Sequence, residues 1–315
     1  MAAFAVIVYS VLTGCTKSTN MNAVGPKPET TATTTVTGKH VYGLQPTPFS
    51  QYSTIPQYSA SEFARRNVAN GLTLTSYPSV LTLSTPAIRD QGQIGSCTAF
   101  CGTEAYEILW YYKNGAFPPI LSPAFLYYEE RVNILGDPIS SDDGANMVNI
   151  DQVLSTYGIC TEALMPYPSS DVSTAYNTPP TSAAIANALN YKISTYTLIN
   201  TGDTAAVKNC IRNNIPVMMG FNVYDNTSTY AYFEGLNTTS YTYNPLTSSG
   251  SLVRGLSLLG GHAVPIIGYD DTKQAFKLQN SWGSSWGLNG FFYLPYSVFK
   301  STKIIPQGSV YYAGI

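Results

Sequence analysis

Cys97, His262 and Asn280 restrict the fold more than any other residues, because they stand far apart in the chain and act usefully only together. The run around the first is Arg89-Asp90-Gln91-Gly92-Gln93-Ile94-Gly95-Ser96-Cys97-Thr98-Ala99-Phe100, polar and glycine-rich before the cysteine and apolar after it. Far downstream come Gly261-His262-Ala263-Val264 and then Asn280-Ser281-Trp282-Gly283. A thiolate attacks, an imidazole moves protons, and an amide orients the imidazole. A chain that uses all three must bring residue 97 to residues 262 and 280.

The segment from Thr98 to Tyr112 reads as a helix. Cys101, Ala105, Ile108, Leu109 and Tyr112 fall on one apolar face, at helical spacing, and Asn114-Gly115 supplies a stop. Cys97 is thus expected at a helix N-terminus. The dipole and free N–H groups there favour a thiolate, and the same N–H groups can receive an oxyanion. Cys101 lies on the apolar stripe and reads as core. His262 leads an apolar, strand-like run, Ala263-Val264-Pro265-Ile266-Ile267-Gly268-Tyr269. A core histidine is the plain alternative there, and the position ahead of Asn280-Ser281-Trp282 favours a base. His40, the only other histidine, sits in a polar stretch and reads as solvated.

At 315 residues, the chain has room for one or two domains plus extensions. Net charge is −2, only 11% of residues are charged, and no basic run exists, so nucleic acid is not an expected partner. The five cysteines are Cys15, Cys97, Cys101, Cys160 and Cys210. None has the paired spacing of a zinc site, so neither a metal nor a cofactor is called for. Cys160 and Cys210 could pair in an oxidising compartment, provided their Cα atoms come close enough.

Residues 2–13 are mostly small and apolar. The stretch is shorter than the about 20 residues that span a bilayer and suits a secretory signal better. Leu12-Thr13-Gly14-Cys15 resembles the lipobox of bacterial lipoproteins, which implies cleavage after residue 14 and acylation of Cys15. No Lys or Arg precedes the apolar run, which departs from that pattern and leaves an ordinary secretory signal as the alternative. Residues 15–40 are too polar to build a core and read as a flexible tether. Residues 41–75 read as a short pro-segment or an arm packed on the domain, with one short helix capped by Ser61 and stopped by Gly71. The expected location is a bacterial cell envelope, lipid-anchored through Cys15, or alternatively secreted.

Residues 76–315 resemble a papain-like cysteine protease. Gln91 matches that family's oxyanion-hole glutamine, Cys97 its nucleophile, His262 its general base and Asn280 its orienting amide. The run Asn280-Ser281-Trp282-Gly283-Ser284-Ser285-Trp286-Gly287-Leu288-Asn289-Gly290-Phe291-Phe292 follows the family pattern closely. By that resemblance Trp282 shields the His–Asn bond. Asp142-Asp143-Gly144-Ala145 resembles the glycine-rich substrate strand, and Pro216-Val217-Met218-Met219-Gly220 the first strand of the β domain. Tyr157-Gly158-Ile159-Cys160-Thr161-Glu162 with Tyr167-Pro168 is a further match. Gly95, Ser96, Gly144, Ala145 and Gly261 are the expected cleft-lining residues, with turn chemistry as the other reading of Gly144 and Gly261.

The resemblance implies an α+β fold in two lobes. A helical lobe covers roughly residues 76–190, a β-barrel-like lobe roughly 191–315, and the site lies in the cleft between them. It also implies a peptide or protein substrate; a monomer is expected. Three departures stand out. Ile94 replaces a half-cystine that usually braces the loop, and Thr98 replaces a bulky aromatic. The distance from Cys97 to His262 exceeds the usual about 130–150 residues; Asn226–Leu259, rich in Tyr, Ser, Thr, Asn and Gly, accounts for the excess as an elaborated hairpin loop. Two rivals follow: a catalytically weak surface binding protein, and a Cys–His–Asp acyltransfer site with Asp270 or Asp271 as third member.

Overall fold

The computed structural model describes residues 40–69, 77–168 and 177–315. Two short helices, α1 (Phe49–Tyr52) and α2 (Ala60–Ala69), belong to the N-terminal arm. The Glu62 N–H donates to Ser59 Oγ at 3.4 Å, so Ser59 rather than Ser61 caps α2. Gly71 lies outside the described residues.

After the short strand β1 (Val80–Thr82), the chain enters α3 (Cys97–Asn114). It ends where Gly115 turns left-handed at φ 80°, its N–H donating to Tyr111 O. The apolar stripe is only part of what α3 buries: every residue from Cys97 to Leu109 is buried. The helix touches the sheet on one side and two other helices elsewhere. Polar residues carried inside by this position therefore need partners. Thr98 Oγ1 donates to Glu130 Oε2 at 2.8 Å, and Arg89 Nη2 donates to Glu107 Oε2 at 2.9 Å.

The helices packed around α3 are well capped. In α4 (Pro123–Tyr128), Ser122 Oγ accepts from the Phe125 N–H and proline occupies the first turn. A π-helical turn, Glu129–Leu135, continues it. Asn146 and Asn149 form a reciprocal capping box at the start of α5 (Met147–Thr156). Further on, Thr181 caps α6 (Ser182–Ala188) and Asp203 caps α7 (Thr204–Arg212).

The remaining strands are β2 (Thr195–Leu198), β3 (Val217–Asp225), β4 (Ser257–Asp270), β5 (Ala275–Gln279), β6 (Phe291–Pro295) and β7 (Val310–Gly314). A single turn, α8 (Tyr296–Phe299), follows β6. The strands pair antiparallel in the order β2-β7-β3-β4-β5-β6, with β1 added on β4. The sheet is open and not closed into a barrel. In the β3–β4 hairpin Phe221 pairs with His262, and this register puts the imidazole at a fixed place. One core packs Phe221, Phe233, Tyr243, Trp286 and Phe292 on the outer part of the sheet. Another joins sheet to helices through Ala105, Leu109, Ile150, Met218 and Ala263.

Three expectations change. The run beginning at Pro216 leads into β3, the first long strand but not the first of the sheet. β1 precedes all the helices of the helical half yet pairs with β4, so the first half contributes a strand to the sheet of the second. Cys160 and Cys210 are both free and lie in separate apolar clusters. Cys101 is a buried core residue, as its place on the stripe implies.

Candidate active site

Cys97 opens α3, and Ser96, the N-cap, makes no side-chain cap. The first N–H groups of a helix have no intrahelical acceptor, so they remain available to a ligand. His262 projects from the inner part of β4, fully buried. Its Nε2 lies 2.7 Å from Asn280 Oδ1. The Ser281 N–H donates to the same Oδ1 at 2.9 Å, which identifies that atom as an acceptor and places the imidazole proton on Nε2. Nδ1 is left as a bare acceptor with no partner among the described residues. The Trp282 ring lies 4.9 Å from the imidazole and, with Phe221 and Phe233, keeps water from the His–Asn bond.

Burial dominates the electrostatics. It pushes the Cys97 thiol up to about 12, while backbone hydrogen bonds with Gly43 and Ala263 pull the other way. It pulls the His262 imidazole down to about 4, against the hydrogen bond to Asn280. In this enclosed state both groups are neutral near pH 7. The thiolate expected from the helix dipole is overridden, because a low-dielectric environment disfavours a charge more than one helix end favours it.

The enclosure comes from the N-terminal arm. Residues 40–45 run across the site. Leu44 N–H donates to Gly261 O at 3.1 Å, Gln45 N–H to Ala145 O at 2.8 Å, and Ala145 N–H to Gly43 O at 3.0 Å. Gly95, Gly144, Ala145 and Gly261, the cleft-lining candidates, are thus gathered around this strand. The approach is so close that a Cβ on Gly43 would overlap the backbone of Gly95, and one on Gly144 would overlap the Gly43 carbonyl. At the other end His40 stacks on Trp282, ring centroids 3.8 Å apart and planes 2° from parallel. Its Nδ1 donates to Glu234 Oε2 at 2.6 Å, and Tyr42 OH donates to Glu234 Oε1 at 2.7 Å. His40 is therefore a packed residue, not a solvated one; its partners are remote in sequence. Glu234 comes from the long loop between β3 and β4. The one hint in the sequence is that it is the only acidic residue between Asp225 and Asp270.

Gln91 is locked at the rim. Its Oε1 accepts from Ser281 Oγ at 2.7 Å and its Nε2 donates to Ile94 O at 2.9 Å, with Val41 O a further 3.5 Å contact. Ser96 Oγ lies 2.7 Å from Tyr167 OH, which donates to Gln91 O. Asp270 and Asp271 are elsewhere. They are bound in the β4–β5 turn by Thr272, Lys273, Lys208 and Tyr296, so neither is a third member beside His262.

A carboxylate braces the loop before Cys97, where Ile94 leaves no cysteine to do so. Both oxygens of Asp142 accept from the Gly95 N–H at 3.1 Å. Tyr127 OH donates to Asp142 Oδ1 and accepts from the Gly144 N–H. Asp142→Ala would leave Tyr127 and the Gly95 N–H without their acceptor. The expected cost is about 1–3 kcal/mol of folding free energy, read by urea denaturation; an unchanged midpoint would remove the brace from the account.

The family profile described as papain family cysteine protease matches residues 82–311. An uncharacterised peptidase C1-like protein of Acanthamoeba polyphaga mimivirus is 31% identical over 219 residues, covering 66% of this chain and 63% of its own length. A cathepsin B-like protein of Giardia intestinalis is 26% identical, again over 66% of this chain and 63% of its own. The chain thus spans under two thirds of the length of these relatives. Among solved structures, xylellain, a cysteine protease from Xylella fastidiosa, aligns with a TM-score of 0.70 and 28% identity, over 88% of this chain and 97% of that one. Digestive procathepsin L2 from Tenebrio molitor larval midgut shares the fold at 20% identity, with a TM-score of 0.61 over 88% and 79%. With a thiol at a helix start, an imidazole on the facing strand and a profile match that spans both, the chain belongs to the papain family of cysteine proteases.

Proposed function

We propose that the chain hydrolyses peptide bonds through Cys97, His262 and Asn280, and that residues 40–45 hold it latent in the state described. The hydrogen bond from His262 to Asn280 carries this reading, because it leaves Nδ1 as the imidazole's only free acceptor. With a peptide in place of the arm, the Cys97 proton passes to Nδ1 and Sγ bonds to the peptide carbonyl carbon. The oxyanion takes N–H groups from the Cys97 backbone and Gln91 Nε2. As the C–N bond breaks, Nδ1 returns its proton to the departing amine. A water then gives a proton to Nδ1 and displaces the thiolate from the acyl carbon, and the thiolate recovers that proton. Asn280 keeps the ring in one orientation throughout. Trp282 keeps the bond dry. The substrate is a peptide or protein.

Cys97→Ala should abolish cleavage of a fluorogenic peptide, and His262→Ala should lower kcat by about 10²–10⁴-fold. Asp270→Ala should leave it unchanged. Cleavage that survives Cys97→Ala would sink the proposal.

The arm should open in acid. His262 is held at about 4 with the arm in place, against an ordinary value of 6.5. A lowered histidine favours the neutral form, so this state is fully stabilised above pH 6.5 and loses that stability as pH falls through about 4. Amide hydrogen exchange at Leu44 and Gln45, corrected for intrinsic rates, should show protection falling over that window. Protection that does not change with pH would rule the linkage out.

Cys15 lies outside the described residues. We propose that it is acylated and anchors the protein in a bacterial envelope. Labelled fatty acid should enter the wild type and not Cys15→Ser; equal labelling of both would reject the anchor.

A further inference from the structure

The arm's own side chains describe what the groove accepts. Glu234 is buried, with no exposed side-chain surface. Among the described residues, the two groups hydrogen-bonded to its carboxylate are His40 and Tyr42, both from the arm. Its position is fixed from behind. Asp225 accepts the N–H groups of Tyr232, Phe233 and Glu234 at 3.0, 2.7 and 2.9 Å. A rigid turn therefore presents a carboxylate beside the face of Trp282 on which His40, a flat nitrogen-bearing ring, is stacked.

We infer that Trp282 and Glu234 form a subsite for a planar basic side chain, arginine above all, on the leaving-amine side of the scissile bond. The inference rests on the protease reading for the meaning of that side. The imidazole that protonates the departing amine lies 4.9 Å from Trp282, whereas the Gly144–Ala145 strand receives the other end of the arm. A peptide that displaces the arm strips Glu234 of both partners. A neutral side chain leaves that buried carboxylate unpaired, which is costly. A guanidinium restores two charge-assisted hydrogen bonds and stacks on the indole face. Asp225, the other acid nearby, adds to the negative potential and is already satisfied by backbone N–H groups. The same arrangement explains why an arm carrying His40 and Tyr42 can hold the groove.

The test uses the full chain and two internally quenched peptides that differ only in the residue after the scissile bond, arginine or norleucine. The ratio of their kcat/KM values within one enzyme cancels the fraction of molecules whose arm is open, which Glu234 substitution also alters. The wild type should prefer arginine by at least about tenfold, and Glu234→Gln should bring the ratio near one. A wild-type ratio near one, or a preference that survives in Glu234→Gln, overturns the subsite. Binding is read separately in full-length Cys97→Ala by tryptophan emission, titrated with the same peptides. If neither peptide is cut but arginine alone gives a saturable change, the subsite stands and the protease reading fails. If the two peptides behave alike in both assays, the subsite is wrong.

Discussion

The hydrogen bond from His262 Nε2 to Asn280 Oδ1 joins β4 to the segment beyond β5, and the candidate site depends on it. It fixes the ring, assigns the proton and leaves Nδ1 as a bare acceptor. Its own stability depends on the aromatic residues that surround it, and these come from β3, from the long loop and from the Trp282 turn. The loop is thus more than a decoration on the hairpin. Phe233 packs against the imidazole, and the next residue, Glu234, receives the arm.

Enclosure and reactivity oppose each other here. A dry, low-dielectric setting strengthens the His–Asn bond yet favours the neutral thiol and neutral imidazole. The arm tips that balance by covering the two groups at once. It does so mostly with backbone: four of its closest approaches are to Gly95, Gly144, Ala145 and Gly261. Side chains at Gly144 and Gly261 would overlap the arm's carbonyls and push it outward.

Much of the site could be read from residue types and order. Cys97 before an apolar helix, and His262 ahead of Asn280-Ser281-Trp282, each carry a chemical reason for their place, whereas the α+β fold was legible through the family resemblance of the motifs. What stayed hidden depends on contacts between distant segments. His40 lies in a polar run, and nothing local reveals that Trp282 and Glu234 meet it. Asp142 reads as part of a glycine-rich strand, and its service to the Gly95 loop appears only when Tyr127 is seen beside it. The burial of α3 on every side from Cys97 to Leu109 was hidden for a similar reason: periodicity marks one face, whereas packing by sheet and helices covers all of them there.

The strand that fills the groove is covalently part of the molecule it fills. Its encounter with Cys97 is a first-order event, governed by the chain between residue 45 and the domain rather than by collisions. A peptide entering the groove therefore competes against an effective local concentration, which for tethered ligands reaches the order of millimolar. A ligand that binds no better than the arm is excluded below that level, and without such a competitor the arm's occupancy of the groove does not depend on how concentrated the protein is.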